Sequence, residues 1–234
     1  MTVLILWLAA CVLSSAAARQ TPRLAQSSEE VQRLMSECEQ QKYSSCNNLG
    51  RMIAEGRGTA KDEARAVTLF QKACDGGDAT ACYNLGQAYR NGTGVAKDEA
   101  RAVGLYKRAC DGGDATACNN LGGMYDRGLG VANGEARAAA FYQKACDLGE
   151  ATACSNVGEM YDKGRGVAKD EARAAGLYKR SCDGGMAEGC TLLGVAYETG
   201  RGVAKDQARA AALFQQACDG GDAEACGKLK KVAK

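Results

Sequence analysis

Six times, at intervals of 36 residues, the chain places two cysteines eight positions apart: Cys38 and Cys46, Cys74 and Cys82, Cys110 and Cys118, Cys146 and Cys154, Cys182 and Cys190, Cys218 and Cys226. Residues 74–82 and 110–118 both read CDGGDATAC, letter for letter. No other feature limits the fold so strongly. A strict period of this length marks one supersecondary unit stacked on copies of itself, each covering the apolar face that its neighbour leaves bare.

Three chemistries compete for the paired cysteines. Zinc prefers C-x2-C or a similarly short ligand spacing with a second pair close by, whereas the spacing here is C-x7-C. A dithiol redox centre favours C-x-x-C, which the chain lacks. The spacing therefore favours disulfides, with zinc ligation and reactive thiols as the alternatives. The 234 residues include no histidine, which excludes imidazole-based acid–base catalysis and imidazole metal sites. No metal and no cofactor is expected.

The thirteenth cysteine, Cys11, sits in an N-terminal segment with its own grammar. Residues 1–18, MTVLILWLAACVLSSAAA, carry no charged side chain, and an apolar core from Val3 to Leu13 runs into Ala16-Ala17-Ala18. This predicts a cleaved export signal over 1–18, too short for a comfortable transmembrane span. An uncleaved anchor or a misassigned start is the alternative. Leu8-Ala9-Ala10-Cys11 also resembles a bacterial lipobox, which would tether the protein to a membrane through Cys11. An even cysteine count behind an export signal places the remainder in an oxidising compartment, periplasmic or secreted. Residues 19–28, with the single proline Pro22, form a linker, and the repeats occupy 29–234. The net charge of +2 is spread along the chain, so neither a nucleic-acid surface nor a polybasic membrane patch is expected.

Within one period the pattern is helical. After Asp78, a residue suited to N-capping, Ala81, Leu85, Ala88 and Tyr89 fall on one helical face. Gly92 and Gly94 then end the helix, and Val95 gives the loop an apolar anchor. Asp98 opens a second helix whose buried stripe is Ala102, Leu105, Tyr106 and Ala109. The unit is an αα-hairpin, repeated. Cys74 falls in the last turn of one helix and Cys82 about one turn into the next, so they face each other across the Asp75-Gly76-Gly77 corner. A Cα separation of about 5.5 Å, usual for a disulfide, is expected there. Ser27 and Glu30 offer a capping box for the first helix, and the array stops inside the first helix of a last unit, at GKLKKVAK.

The pattern A-x-x-x-L-G-x-x-Y-x-x-G-x-G-V-A-K-D-x-A-R-A-x-x-L-Y-x-x-A resembles the Sel1-like repeat, a relative of the tetratricopeptide repeat, over residues 29 to 234. With its cysteine pairs the chain is similar to the Helicobacter cysteine-rich family, whose members are exported and disulfide-bridged. The resemblance implies an all-α, right-handed solenoid of hairpins with a concave binding face lined by the first helix of each hairpin.

On that helix the residue before Leu-Gly or Val-Gly is Asn48, Asn84, Asn120 and Asn156, then Leu192. In some tetratricopeptide proteins an asparagine here contacts peptide backbone or a terminal carboxylate, and an amide can both donate and accept. Equally, such an asparagine can bond neighbouring backbone to support the fold. Positions that differ between copies are not dictated by the frame. After Leu-Gly or Val-Gly stand Arg51, Gln87, Gly123, Glu159 and Val195; before the loop glycine stand Glu55, Asn91, Arg127, Lys163 and Thr199; and Tyr83 replaces Asn47, Asn119, Ser155 or Thr191. Together these describe a mixed polar groove with one aromatic anchor, or else ordinary solvated variation. The loop glycines are turn residues: no strand precedes them and no G-K-[ST] follows.

These features point to a non-catalytic, monomeric scaffold that binds a protein or peptide. No catalytic residue and no nucleic-acid partner is expected, and a membrane partner only through Cys11. An envelope assembly or regulatory factor is one alternative. Another is a β-lactamase or penicillin-binding protein, a label that members of the cysteine-rich family carry. The serine mechanism needs S-x-x-K, S-D-N and K-T-G; residues 19–234 contain none of them, and a zinc enzyme of that class needs histidine.

Overall fold

The computed structural model describes residues 26–232. The predicted leader with Cys11, and Pro22, lie outside the described residues. Every regular element there is a helix. The described residues fall into two compact units that divide between Lys97 and Asp98. The first holds α1 (26–39), α2 (Tyr43–Glu55), α3 (Glu63–Asp75) and α4 (Ala79–Asn91). The second holds α5 (Glu99–Asp111), α6 (Ala115–Arg127), α7 (Glu135–Asp147), α8 (Ala151–Lys163), α9 (Glu171–Asp183), α10 (Ala187–Thr199), α11 (Gln207–Asp219) and α12 (Ala223–Val232). Each unit is a run of αα-hairpins in which successive helices pack on each other, and first helices of successive hairpins also touch, α2 with α4 and α8 with α10.

Local chemistry sets the helix ends. The Asp78 carboxylate accepts from the Ala81 N–H at 2.7 Å, and Asp98 accepts from Arg101 at 2.9 Å, satisfying donors that a helix start leaves bare. At the other end Gly92 takes φ +73° and passes its N–H to the Ala88 carbonyl. Two residues on, Gly94 has φ +69°, and a Cβ there would lie 2.3 Å from the Glu63 carbonyl oxygen, so only glycine fits this loop. The expected stripe of α5 is buried: Ala102, Leu105, Tyr106 and Ala109.

Small side chains let the helices approach closely. Gly50 lies beneath the Phe70 ring, and Gly122, Gly158 and Gly194 lie beneath Tyr142, Tyr178 and Phe214; a Cβ at each would come within 2.7 Å of its ring. The first unit closes at its start with Val31 and Leu34 of α1 against Leu49, Met52 and Ile53 of α2. This helix already covers residues 26–28, so Ser27 is a helical residue rather than a cap. The α1 backbone runs on before Ser27 because the face carrying Val31 and Leu34 has a partner to pack against.

All six expected disulfides are present. Cys38 bonds Cys46, Cys74 bonds Cys82, Cys110 bonds Cys118, Cys146 bonds Cys154, Cys182 bonds Cys190, and Cys218 bonds Cys226. Each joins the last turn of one helix to the first turn of the next. Cys46, Cys154 and Cys190 are buried, as are their partners Cys38, Cys146 and Cys182, so these side chains serve the frame and offer nothing to a ligand. The Cα separations differ from expectation: 4.7 Å from Cys38 to Cys46 and from Cys146 to Cys154, and 4.5 Å from Cys182 to Cys190, against the roughly 5.5 Å expected. The short corner explains the difference. Gly77 at φ +94° makes the turn, whereas Gly76 has an ordinary φ of −76°. Gly76 is required for a different reason: a Cβ there would sit 2.2 Å from the Tyr43 ring. At the corner between Cys146 and Cys154, Leu148 takes the equivalent place at φ −80°, with its side chain in solvent.

Candidate functional site

Where the second helix of one hairpin meets the first helix of the next, the frame leaves a crevice. Its floor is the buried aromatic or leucine of the earlier helix, and its mouth carries the positions that differ between copies. In the first unit, α1 and α2 enclose about 340 Å³ lined by Leu34, Arg33, Asn48, Arg51 and Arg57. Arg33 bonds Glu37 at 2.9 Å and Arg57 pairs with Glu55 at 2.5 Å. The Ser45 hydroxyl, donating at 2.6 Å, holds the Glu37 carboxyl below its ordinary range.

One hairpin on, α3 and α4 enclose about 230 Å³. Ala66, Val67 and Phe70 of α3, with Ala54 and Ala88, make an apolar floor; Asn84, Gln87, Asn91 and Thr93 stand around it. The Gln87 amide donates to the Tyr83 hydroxyl at 2.9 Å, and the Asn84 amide donates to Asn47 Oδ1 at 2.8 Å.

In the second unit the crevice between α9 and α10 is reduced to about 40 Å³. Leu192 and Val195 line it, and Arg201 of the following loop pairs with Asp162. That bond holds the guanidinium above its ordinary pKa, and burial pushes the Tyr178 phenol up, with the Asp162 and Glu159 charges adding to the shift. At the junction of α7 and α8, Arg165 likewise pairs with Asp126 and bonds Glu135 at 3.0 Å.

The residues expected to form the site divide accordingly. Asn48 and Arg51 share the first crevice; Asn84 and Gln87 share the next, with Tyr83 bonded to Gln87. In the second unit Glu159 forms an ion pair with Lys163, Asn156 donates to Asn119 at 2.9 Å, and Asn120 is half-buried. Sequence reasoning missed Ala54, Phe70 and Thr93, and the arginines that close the later crevices. A signal was there. The residue between the two loop glycines is Arg57, Thr93, Leu129, Arg165 and Arg201 in turn, and it covaries with the penultimate residue of the preceding hairpin's first helix, Ala54 for Thr93, Asp126 for Arg165 and Asp162 for Arg201.

Among the described residues all twelve cysteines are in disulfides, and no set of His, Cys, Asp and Glu gathers as a metal site. The crevices offer amides, guanidinium groups and apolar floors.

Known proteins share this frame. A protective antigen present in uropathogenic Escherichia coli strains, displaying an SLR fold, superposes with TM-score 0.82 and 31% identity, over 85% of this chain and 43% of its own. A Sel1 repeat protein from Oxalobacter formigenes gives TM-score 0.74 and 32% identity, over 82% and 78%. Cysteine-rich protein B of Helicobacter pylori is 31% identical over 57% of this chain and 96% of its own, with TM-score 0.47. The chain thus spans less than half the length of the first of these. No curated protein matches the sequence at a significant level. The Sel1 repeat model matches five times in succession, over residues 44–78, 79–114, 115–150, 151–186 and 187–222, and the chain belongs to the Sel1 repeat family.

Proposed function

We propose that this chain is an exported, monomeric, non-catalytic scaffold that binds a protein or peptide on the face formed by the first helices of its hairpins. One observation carries the reading. The frame is nearly invariant from copy to copy, while one register position that changes lines a crevice each time it is Arg51, Gln87 or Val195, beside an asparagine column of Asn48 and Asn84 that becomes Leu192. Variation at a crevice on a fixed frame is what a recognition surface requires. In the first unit Asn48, Arg51, Tyr83, Asn84 and Gln87 are the contact residues; in the second, Asn120, Asn156 and Glu159 are.

Export is supported by the six disulfides, which persist in oxidising compartments. Retention of partners from a cell-envelope extract by the oxidised chain is the test, run beside an Asn48→Ala/Arg51→Ala/Gln87→Ala variant. A partner held by the parent and lost by the variant is expected. Equal retention by both, or none by the parent, contradicts the proposal.

A further inference from the structure

The crevice between α3 and α4 differs from its counterparts in the second unit at three positions at once. Ala54 stands where they have Asp162 and Asp126, Thr93 where they have Arg201 and Arg165, and Phe70 where they have Tyr178 and Tyr142. In the second unit each arginine reaches the acid of the preceding first helix and closes the crevice over the tyrosine. Losing only one partner would strand a charge beside a low-dielectric floor. Losing acid, base and hydroxyl together leaves a lining that is apolar and amide-bearing apart from Glu63, and the volume rises from about 40 to about 230 Å³.

In the second unit aliphatic Leu192 and Val195 line the corresponding space beside Tyr178. The first unit puts Asn84 and Gln87 at those positions, so neither places an aliphatic group over Phe70. Asn84, Gln87 and Asn91 follow one face of α4 at i, i+3 and i+7, an amide-bearing edge in which Asn84 also donates to Asn47 and Gln87 to Tyr83. Glu63, the acid at this mouth, is engaged by Lys61 at 2.6 Å, so an anionic guest meets like charge and a cationic one must displace Lys61.

We infer that the α3/α4 crevice receives an uncharged aliphatic side chain of an extended polypeptide, whose backbone lies along the amides of α4. The inference rests on the binding function proposed above and names the chemistry of one of its contacts.

Phage-displayed random dodecapeptides panned on the oxidised full chain provide the probe. Enriched peptides are expected to share a Leu, Ile, Val or Met. Replacing it with Ser should weaken binding about tenfold, and so should the Ala54→Asp/Thr93→Arg double variant, which rebuilds the closing ion pair. Thr93→Arg alone, at a loop position, covers the case in which the double variant does not fold. If peptides are enriched but ignore these changes, or share a charged residue instead, this inference fails while the binding function stands. If the parent chain enriches no peptide, both fail.

Discussion

The Asn84 side-chain amide donates to Asn47 Oδ1 across 2.8 Å, joining the first helices of two successive hairpins, and Asn156 repeats the bond to Asn119 at 2.9 Å. The recurring asparagine therefore has a structural task in at least these two copies, whereas Asn48 is exposed. Asn47 is buried, so Asn47→Ala leaves the Asn84 amide without its acceptor and should cost about 1 kcal/mol. The measurement is urea unfolding: a lower midpoint with unchanged slope. Asn48→Ala should leave the midpoint in place.

Two helical glycines should respond oppositely to the same change. A Cβ on Gly158 would lie 2.7 Å from the buried Tyr178 ring, so Gly158→Ala should destabilise by about 1–3 kcal/mol through overpacking. Gly176 in α9 has no neighbour within 4 Å of that position. Gly176→Ala should stabilise by about 0.5–1 kcal/mol through lost chain entropy. Thermal melts of the two variants should move in opposite directions.

Each staple can be removed singly. Cys110 and Cys118 are fully buried, and their bond spans a sequence separation of 8. Cys110→Ala/Cys118→Ala should cost about 2.5 kcal/mol in the chain-entropy model. Calorimetry of this variant against the parent gives the number directly.

Acid should loosen α12 first at its start. Asp222 accepts from the Thr191 hydroxyl at 2.7 Å and from the Glu224 and Ala225 N–H groups, which together hold its carboxyl below the ordinary value against the opposing effect of burial. A depressed carboxylate pKa adds stability that is complete above the unfolded value, about 3.9, and is lost as pH falls through the folded value. Amide protection at Ala225 and Cys226, corrected for intrinsic exchange, should drop below about pH 4. Asp222→Asn, which keeps a capping side chain, should flatten that dependence.

Much of the frame was legible because its signals are local. Asp78, Gly92 and the stripe of α5 lie within single helices or their caps, and the C-x7-C spacing spans one corner. The extension of α1 back to residue 26 was not legible, because it depends on packing against α2. The crevices were hidden for a related reason. Ala54 and Thr93 belong to different hairpins and become neighbours only when one hairpin stacks on another, as do Asp162 and Arg201. The candidate asparagines were legible as a column, but their bonds run diagonally, from Asn84 to Asn47 rather than to Asn48.

The stapled frame, and the export and binding proposed from it, rest on the state of twelve cysteines. Intact mass of the mature chain from the cell envelope, before and after reduction, tests them directly. Two hydrogens for each of six bonds, twelve in all, should be gained on reduction, on a chain lacking residues 1–18. An unchanged mass, with every thiol free, would contradict both the stapled frame and the export inferred from it.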